Sequence, residues 1–134
     1  MLENLRTIFF AGSLHSARVI LAVAEMLWAI SLFWPGETFG RPTYHIMSMV
    51  ADEILWGYVF FCSSMIQWCI VVGNNLSGKV AMWFAAWNSS LWLFVCGSMY
   101  LSVYPPPAAI SGEAALALAA VWIFLRTNPV IEDE

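Results

Sequence analysis

The chain has 134 residues, enough for one domain. Hydrophobic residues make up 61% of it and charged residues only 10%, against about half and about a quarter in a water-soluble domain, so the composition argues against that class. Five Lys and Arg against nine Asp and Glu leave a net charge of −4 and no basic patch for nucleic acid.

Residues 1–16 carry Leu2, Leu5, Ile8 and Phe9 at helical spacing, with Glu3, Asn4 and Arg6 opposite. That pattern predicts a short amphipathic helix on a membrane surface, with a frayed terminus as the alternative. No small-residue cleavage site follows this stretch, so the first span is expected to act as an uncleaved targeting signal. Ser13 is placed to cap the helix that follows.

Segment 17–34 is almost wholly apolar and long enough to cross a bilayer core as a helix. Glu25 sits near its middle. A charged acid at that depth costs on the order of 3 kcal/mol or more, so it needs a reason to be there. Three readings stand: proton or ion handling, a neutral carboxyl bonded to another helix or protomer, or a span whose bounds lie elsewhere. Pro35 and Gly36 end the helix, and a polar loop with Glu37, Gly40, Arg41 and Pro42 follows.

Residues 44–73 read as one long helix. Its first part, to Glu53, is mixed and interfacial; segment 54–73 is the second span, with Gln67 its one strongly polar side chain. A turn at 74–79 leads to the third span, 80–101, which carries Asn88, Ser89 and Ser90. Pro105, Pro106 and Pro107 stop it. The fourth span, 108–125, is Ala-rich and holds Glu113; Arg126 and an acidic tail follow.

The expected architecture is all-α: a polytopic membrane protein built as one domain, 1–134, with four transmembrane helices in an antiparallel bundle, because the connections are short. Arg6, Arg18, Lys79 and Arg126 fall on one side and only Arg41 on the other, which places both termini in the cytoplasm. Eight Trp and nine Phe suit a lipid-facing surface. Trp34, Trp56, Tyr100 and Tyr104 would mark the outer interface, and Trp83 and Trp122 the inner one.

The polar groups at depth are the candidate site: Glu25, Gln67, Asn88 and Glu113. Gln67 and Asn88 come out at matching depth on neighbouring helices, roughly 10 Å from the inner interface at a rise of 1.5 Å per residue. They would either pair by a bidentate amide hydrogen bond or line a polar path. Glu25 and Glu113 differ in depth, which argues against a shared-proton pair. Small residues recur four apart in two stripes, Ala81, Ala85 and Ser89, and Ser111, Ala115 and Ala119, which let helix backbones approach within the chain or between protomers. Homo-oligomerisation is therefore expected.

Cys62, Cys69 and Cys96 all lie in apolar runs and read as packing residues. His15 and His45 read as solvated side chains; His45, Ser48 and Asp52 could share a helix face but are too sparse for a triad. Neither a metal-ligand cluster nor a nucleophile–base pair stands out, so a non-enzymatic protein without metal or cofactor is expected.

Two resemblances are carried by short motifs. Trp34-Pro35-Gly36, Arg41-Pro42-Thr43-Tyr44, Asp52-Glu53 and Trp56-Gly57 resemble small membrane proteins encoded by tailed bacteriophages, over about a quarter of the chain. That likeness implies a bacterial inner membrane and a holin-like or envelope-modifying oligomer. Four spans in so short a chain, with Ala24-Glu25 inside the first, are similar to small multidrug resistance transporters. By that likeness Glu25 would be the proton-coupling carboxylate, although the expected glycine pattern is missing from spans three and four. An accessory subunit with a membrane-protein partner is the remaining expectation.

Overall fold

A computed structural model describes residues 13–73, 78–106, 108 and 110–127. Among them the chain is wholly helical: α1 (Ser13–Phe33), a 3-10 turn (Pro42–Tyr44), α2 (His45–Val50), α3 (Glu53–Val72), α4 (Gly78–Ser102) and α5 (Ile110–Thr127). Four of the five α-helices, all but the short α2, are long and apolar enough to cross a membrane. The chain is thus a multi-pass membrane protein in kind. The expected N-terminal amphipathic helix, the 74–77 turn and the acidic tail lie outside the described residues.

The helices form a bundle of two close pairs. α1 packs along α3, α4 packs along α5, and α1 also meets α5. α2 and the 3-10 turn lie against α4. Among the described residues the interior is an apolar core with a few polar side chains set into it, and the outer surface is apolar. Glu25, Ser63, Ser64, Gln67, Asn88, Ser89 and Ser98 are buried, while Ile20, Leu27, Ile54, Val72, Leu93, Leu101 and Leu118 are exposed. Water would penalise that arrangement; a hydrocarbon solvent favours it, because polar groups there must find partners inside the protein. Most hydroxyls do so locally. Ser89, Ser98, Ser102 and Thr127 each donate to a carbonyl three or four residues back on their own helix.

The long helix expected over 44–73 is broken. Ala51 and Asp52 are extended, and α3 starts afresh at Glu53. The break lets Met47 and Trp56 both turn inward: the Trp56 indole N–H donates to the Met47 carbonyl at 3.1 Å. Trp56 is therefore buried, not part of an interfacial belt, and it stacks on Phe94 of α4. Trp34, Tyr100 and Tyr104 do stand exposed at the same end of the bundle, as does Trp83 elsewhere, whereas Trp122 is half-buried with Arg126 5.8 Å from its ring. With the helix interrupted before Asp52, the His45–Asp52 helix face does not form.

Glu53 closes the loop between α1 and α2. Its two carboxylate oxygens accept the backbone N–H groups of Thr38 (3.2 Å) and Phe39 (3.3 Å). Charge-assisted bonds of this kind tie the loop to the start of α3. Replacing Glu53 by Ala should raise the amide hydrogen-exchange rates of Thr38 and Phe39 about tenfold, corresponding to roughly 1.5 kcal/mol of lost local stability. Unchanged exchange at both amides would show that the carboxylate does not hold the loop.

The two small-residue stripes have different fates. Ala81, Ala85 and Ser89 are buried, as close helix packing requires. On α5 the buried residues are Ile110, Ala117, Ala120 and Ile123, while Ser111 and Ala115 are exposed and Ala119 is half-buried. Internal packing of α5 thus uses a face neighbouring the expected one. Cys62 and Cys69 are exposed, whereas Cys96 rests against the core.

Candidate functional site: a buried carboxyl within the bundle

α1 turns one face inward over its whole length: Leu21, Ala22, Glu25, Ala29 and Leu32 are buried, and Arg18 and Trp28 are half-buried on the same side. The three- and four-residue spacing makes them one stripe. Glu25 is 0% exposed, and neither of its oxygens has a hydrogen-bond partner. The Trp92 indole N–H of α4 lies within interaction range of that carboxyl but short of a well-formed hydrogen bond, and has no other partner.

Asn88 precedes Trp92 by one helical turn and is 1% exposed. Both its amide atoms lack a partner. The bidentate Gln67–Asn88 bond expected from their matching depth is therefore absent, although Gln67 is also buried. Equal depth along an axis says nothing of rotation about it. The Trp87 indole N–H reaches across to Ser63 Oγ at 3.0 Å. Beside that crossing, an apolar groove of about 420 Å³ opens between α3 and α4, lined by Leu55, Val59, Trp87 and Leu91 among others.

α3 contributes the nearest stable polar link. Ser64 Oγ donates to the Ala22 carbonyl at 2.7 Å, one turn from Glu25 on α1. Ser64→Ala should cost about 0.6 kcal/mol, the mean for interhelical hydrogen bonds in a membrane, measured by unfolding in mixed micelles. A loss beyond about 2 kcal/mol would mean that Ser64 holds more than this one bond.

Aromatic rings cover the site toward the loop end. Trp28, three residues beyond Glu25, lies 5.2 Å from Phe60 and 5.9 Å from Trp92 between ring centroids. Tyr44 meets Trp28 edge-on at 6.1 Å, and Phe39 stacks on Tyr44 at 5.7 Å. Burial, reinforced by Glu113, pushes the Tyr44 phenol above its ordinary value; Arg41 opposes this and Glu53 adds to it. Glu113, in the first turn of α5, thus belongs to the loop end beside Tyr44 and not to the Glu25 site; its Oε2 is buried without a partner. At the opposite end of the stripe, Arg18 Nη2 donates to Thr127 Oγ1 at 3.0 Å and joins α1 to α5.

A carboxyl in this setting has a narrow chemistry. As a carboxylate it is an uncompensated buried charge; it is relieved by taking a proton or a cation, or by donors that move in. The unpartnered Trp92 Nε1–H beside it is one such supply, and Asn88, one turn before Trp92 on α4, carries a further unpartnered amide. Sequence reasoning named Glu25 and Asn88 but missed Trp92 and Tyr44. The four-residue spacing of Asn88 and Trp92 was the available signal, and Trp92 is one of eight tryptophans. Compared with known proteins, the chain matches no family model, no curated protein and no solved structure.

Proposed function

We propose that this protein is a small proton-coupled membrane transporter in which Glu25 is the group that binds and releases the proton. The observation that carries the reading is a fully buried carboxyl, on a helix able to span a membrane, with no formed hydrogen bond and an unpartnered indole N–H beside it. Intramembrane acids are expensive and by default functional. A structural carboxyl would be expected to be bonded; this one is not. The membrane is the bacterial inner membrane, the four spans run antiparallel, and both termini face the cytoplasm, in line with the Lys and Arg distribution. Proteoliposomes under an imposed pH gradient test the idea: lumenal acidification or its dissipation should require Glu25.

A second reading is a non-enzymatic, holin-like or envelope-modifying oligomer of phage type. The outward-facing Ser111 and Ala115 on α5 favour it, because small residues on a lipid-facing surface let a second copy approach. It demands that induced expression alone depolarise the cell and that the extracted protein be a large oligomer. A monomer or dimer that leaves the membrane potential intact would remove this reading.

A further inference from the structure

The route from the loop end to Glu25 is short and filled with aromatic rings. Glu25 stands eight residues before the end of α1 at Phe33, about 12 Å along the axis. A hollow of about 410 Å³ opens at that end, lined by Phe39, Arg41, Pro42, His45 and Ser102. Arg41, His45 and Ser102 give it a partly polar lining. Phe39 belongs to this lining and stacks on Tyr44; Tyr44 abuts Trp28; Trp28 packs beside Trp92, whose indole N–H lies next to the Glu25 carboxyl.

We infer that Tyr44 is a removable plug between the hollow at the loop end and the Glu25 site. Two structural features make it removable. Tyr44 is carried not by a spanning helix but by the 3-10 turn Pro42–Tyr44. The preceding loop is tied to the bundle through Glu53, by the two backbone hydrogen bonds to Thr38 and Phe39. Releasing those two bonds frees the loop at Thr38 and Phe39; Tyr44 is then held by packing of its turn against α4 and by the Ile46 N–H donated to Ser102 Oγ at 3.3 Å, and it can leave without unwinding a helix. The opposite end has a different closure, the Arg18–Thr127 bond between α1 and α5, so the loop end is the side on which a small rearrangement opens the interior. The inference rests on Glu25 being the working group, and it names the residue that controls access to it.

Chemical accessibility tests it on the full chain in liposomes. A water-soluble carbodiimide with glycinamide as the nucleophile converts reachable carboxyls to amides, read out by mass spectrometry. Glu37, exposed in the loop, is the internal control and should react in every variant. In the unsubstituted protein Glu25 should stay unmodified. Tyr44→Ala should raise modification of Glu25 at least tenfold, and Tyr44→Phe, which keeps the ring, should not. Glu53→Ala, which frees the loop but leaves the plug residue in place, should give an intermediate rise, and it decides the matter if Tyr44→Ala fails to fold. Glu25 that reacts equally in the unsubstituted protein, or stays unreactive in both Tyr44→Ala and Glu53→Ala, overturns the plug. If Glu25 becomes reactive as stated yet Glu25→Gln leaves proton movement unchanged, the plug stands and the transport reading falls.

Discussion

Glu25→Leu should fold at least as stably as the unsubstituted protein and lose proton movement entirely. The Glu25 carboxyl makes no hydrogen bond, so replacing it with an apolar side chain of similar size breaks none. It also removes a buried polar group whose desolvation goes uncompensated, which is worth about 1–3 kcal/mol. The neighbours that surround it, including Leu21 and Ala22 on its own helix, accept an apolar replacement. Glu25→Gln should likewise fold and likewise fail in proteoliposomes, since an amide cannot exchange a proton at this site. Stability is read by unfolding in mixed micelles and proton movement by a trapped pH-sensitive dye. The sign of the Leu result separates two ideas. A carboxyl kept for structure would make Glu25→Leu less stable by 1 kcal/mol or more; a carboxyl kept for function makes it more stable and inactive.

Trp92→Ala should be the most damaging single truncation in the bundle, at about 3 kcal/mol. Trp92 is 0% exposed and is the largest of the fully buried side chains. Its ring meets Trp28 edge-on and lies 5.5 Å from Phe60, so it joins α4 to both α1 and α3. Core Trp→Ala changes cost about 3–5 kcal/mol in water-soluble proteins. The lower end applies here, because lipid offers an exposed apolar side chain as good a solvent as the core does. What remains is the cavity and the lost dispersion contacts. Trp92→Phe keeps a ring in place and loses an indole N–H that bonds to nothing, so about 1 kcal/mol is expected. Far-UV circular dichroism during unfolding in mixed micelles measures both. A loss below about 1 kcal/mol for Trp92→Ala would mean that α4 is held by something other than this aromatic cluster.

Two of these residues illustrate how far the amino-acid order reaches. Glu25 was legible because a carboxylate stands out near the middle of a segment whose other polar residues are only Arg18 at its edge and Ser31, and bilayer thickness alone makes it an anomaly. Trp92 was not, because every apolar span contains aromatic rings and only one orientation of α4 brings this one against Glu25. The Gln67–Asn88 pairing failed for the same reason. Depth follows from counting residues along a helix, but facing depends on how each helix is rotated and how closely its neighbour approaches. α3 and α4 touch through Trp87, Phe94 and Trp92 and leave a groove, so two amides at one depth do not meet.

The break at Ala51–Asp52 shows a different limit. Apolar periodicity ran on from Tyr44 into the second span, and no Pro or Gly marked a stop. Burial of Met47 and Trp56, bridged by the indole-to-carbonyl bond, favours the interruption, and that bond spans residues nine apart. Residue order by itself determined four helices suited to lipid and an acid stranded in the first of them, because length and apolarity are properties of a segment taken alone. Which side chains stand beside that acid, which ring closes the way to it and which face of α5 turns outward were decided only by packing, since each depends on contacts between segments that are distant along the chain.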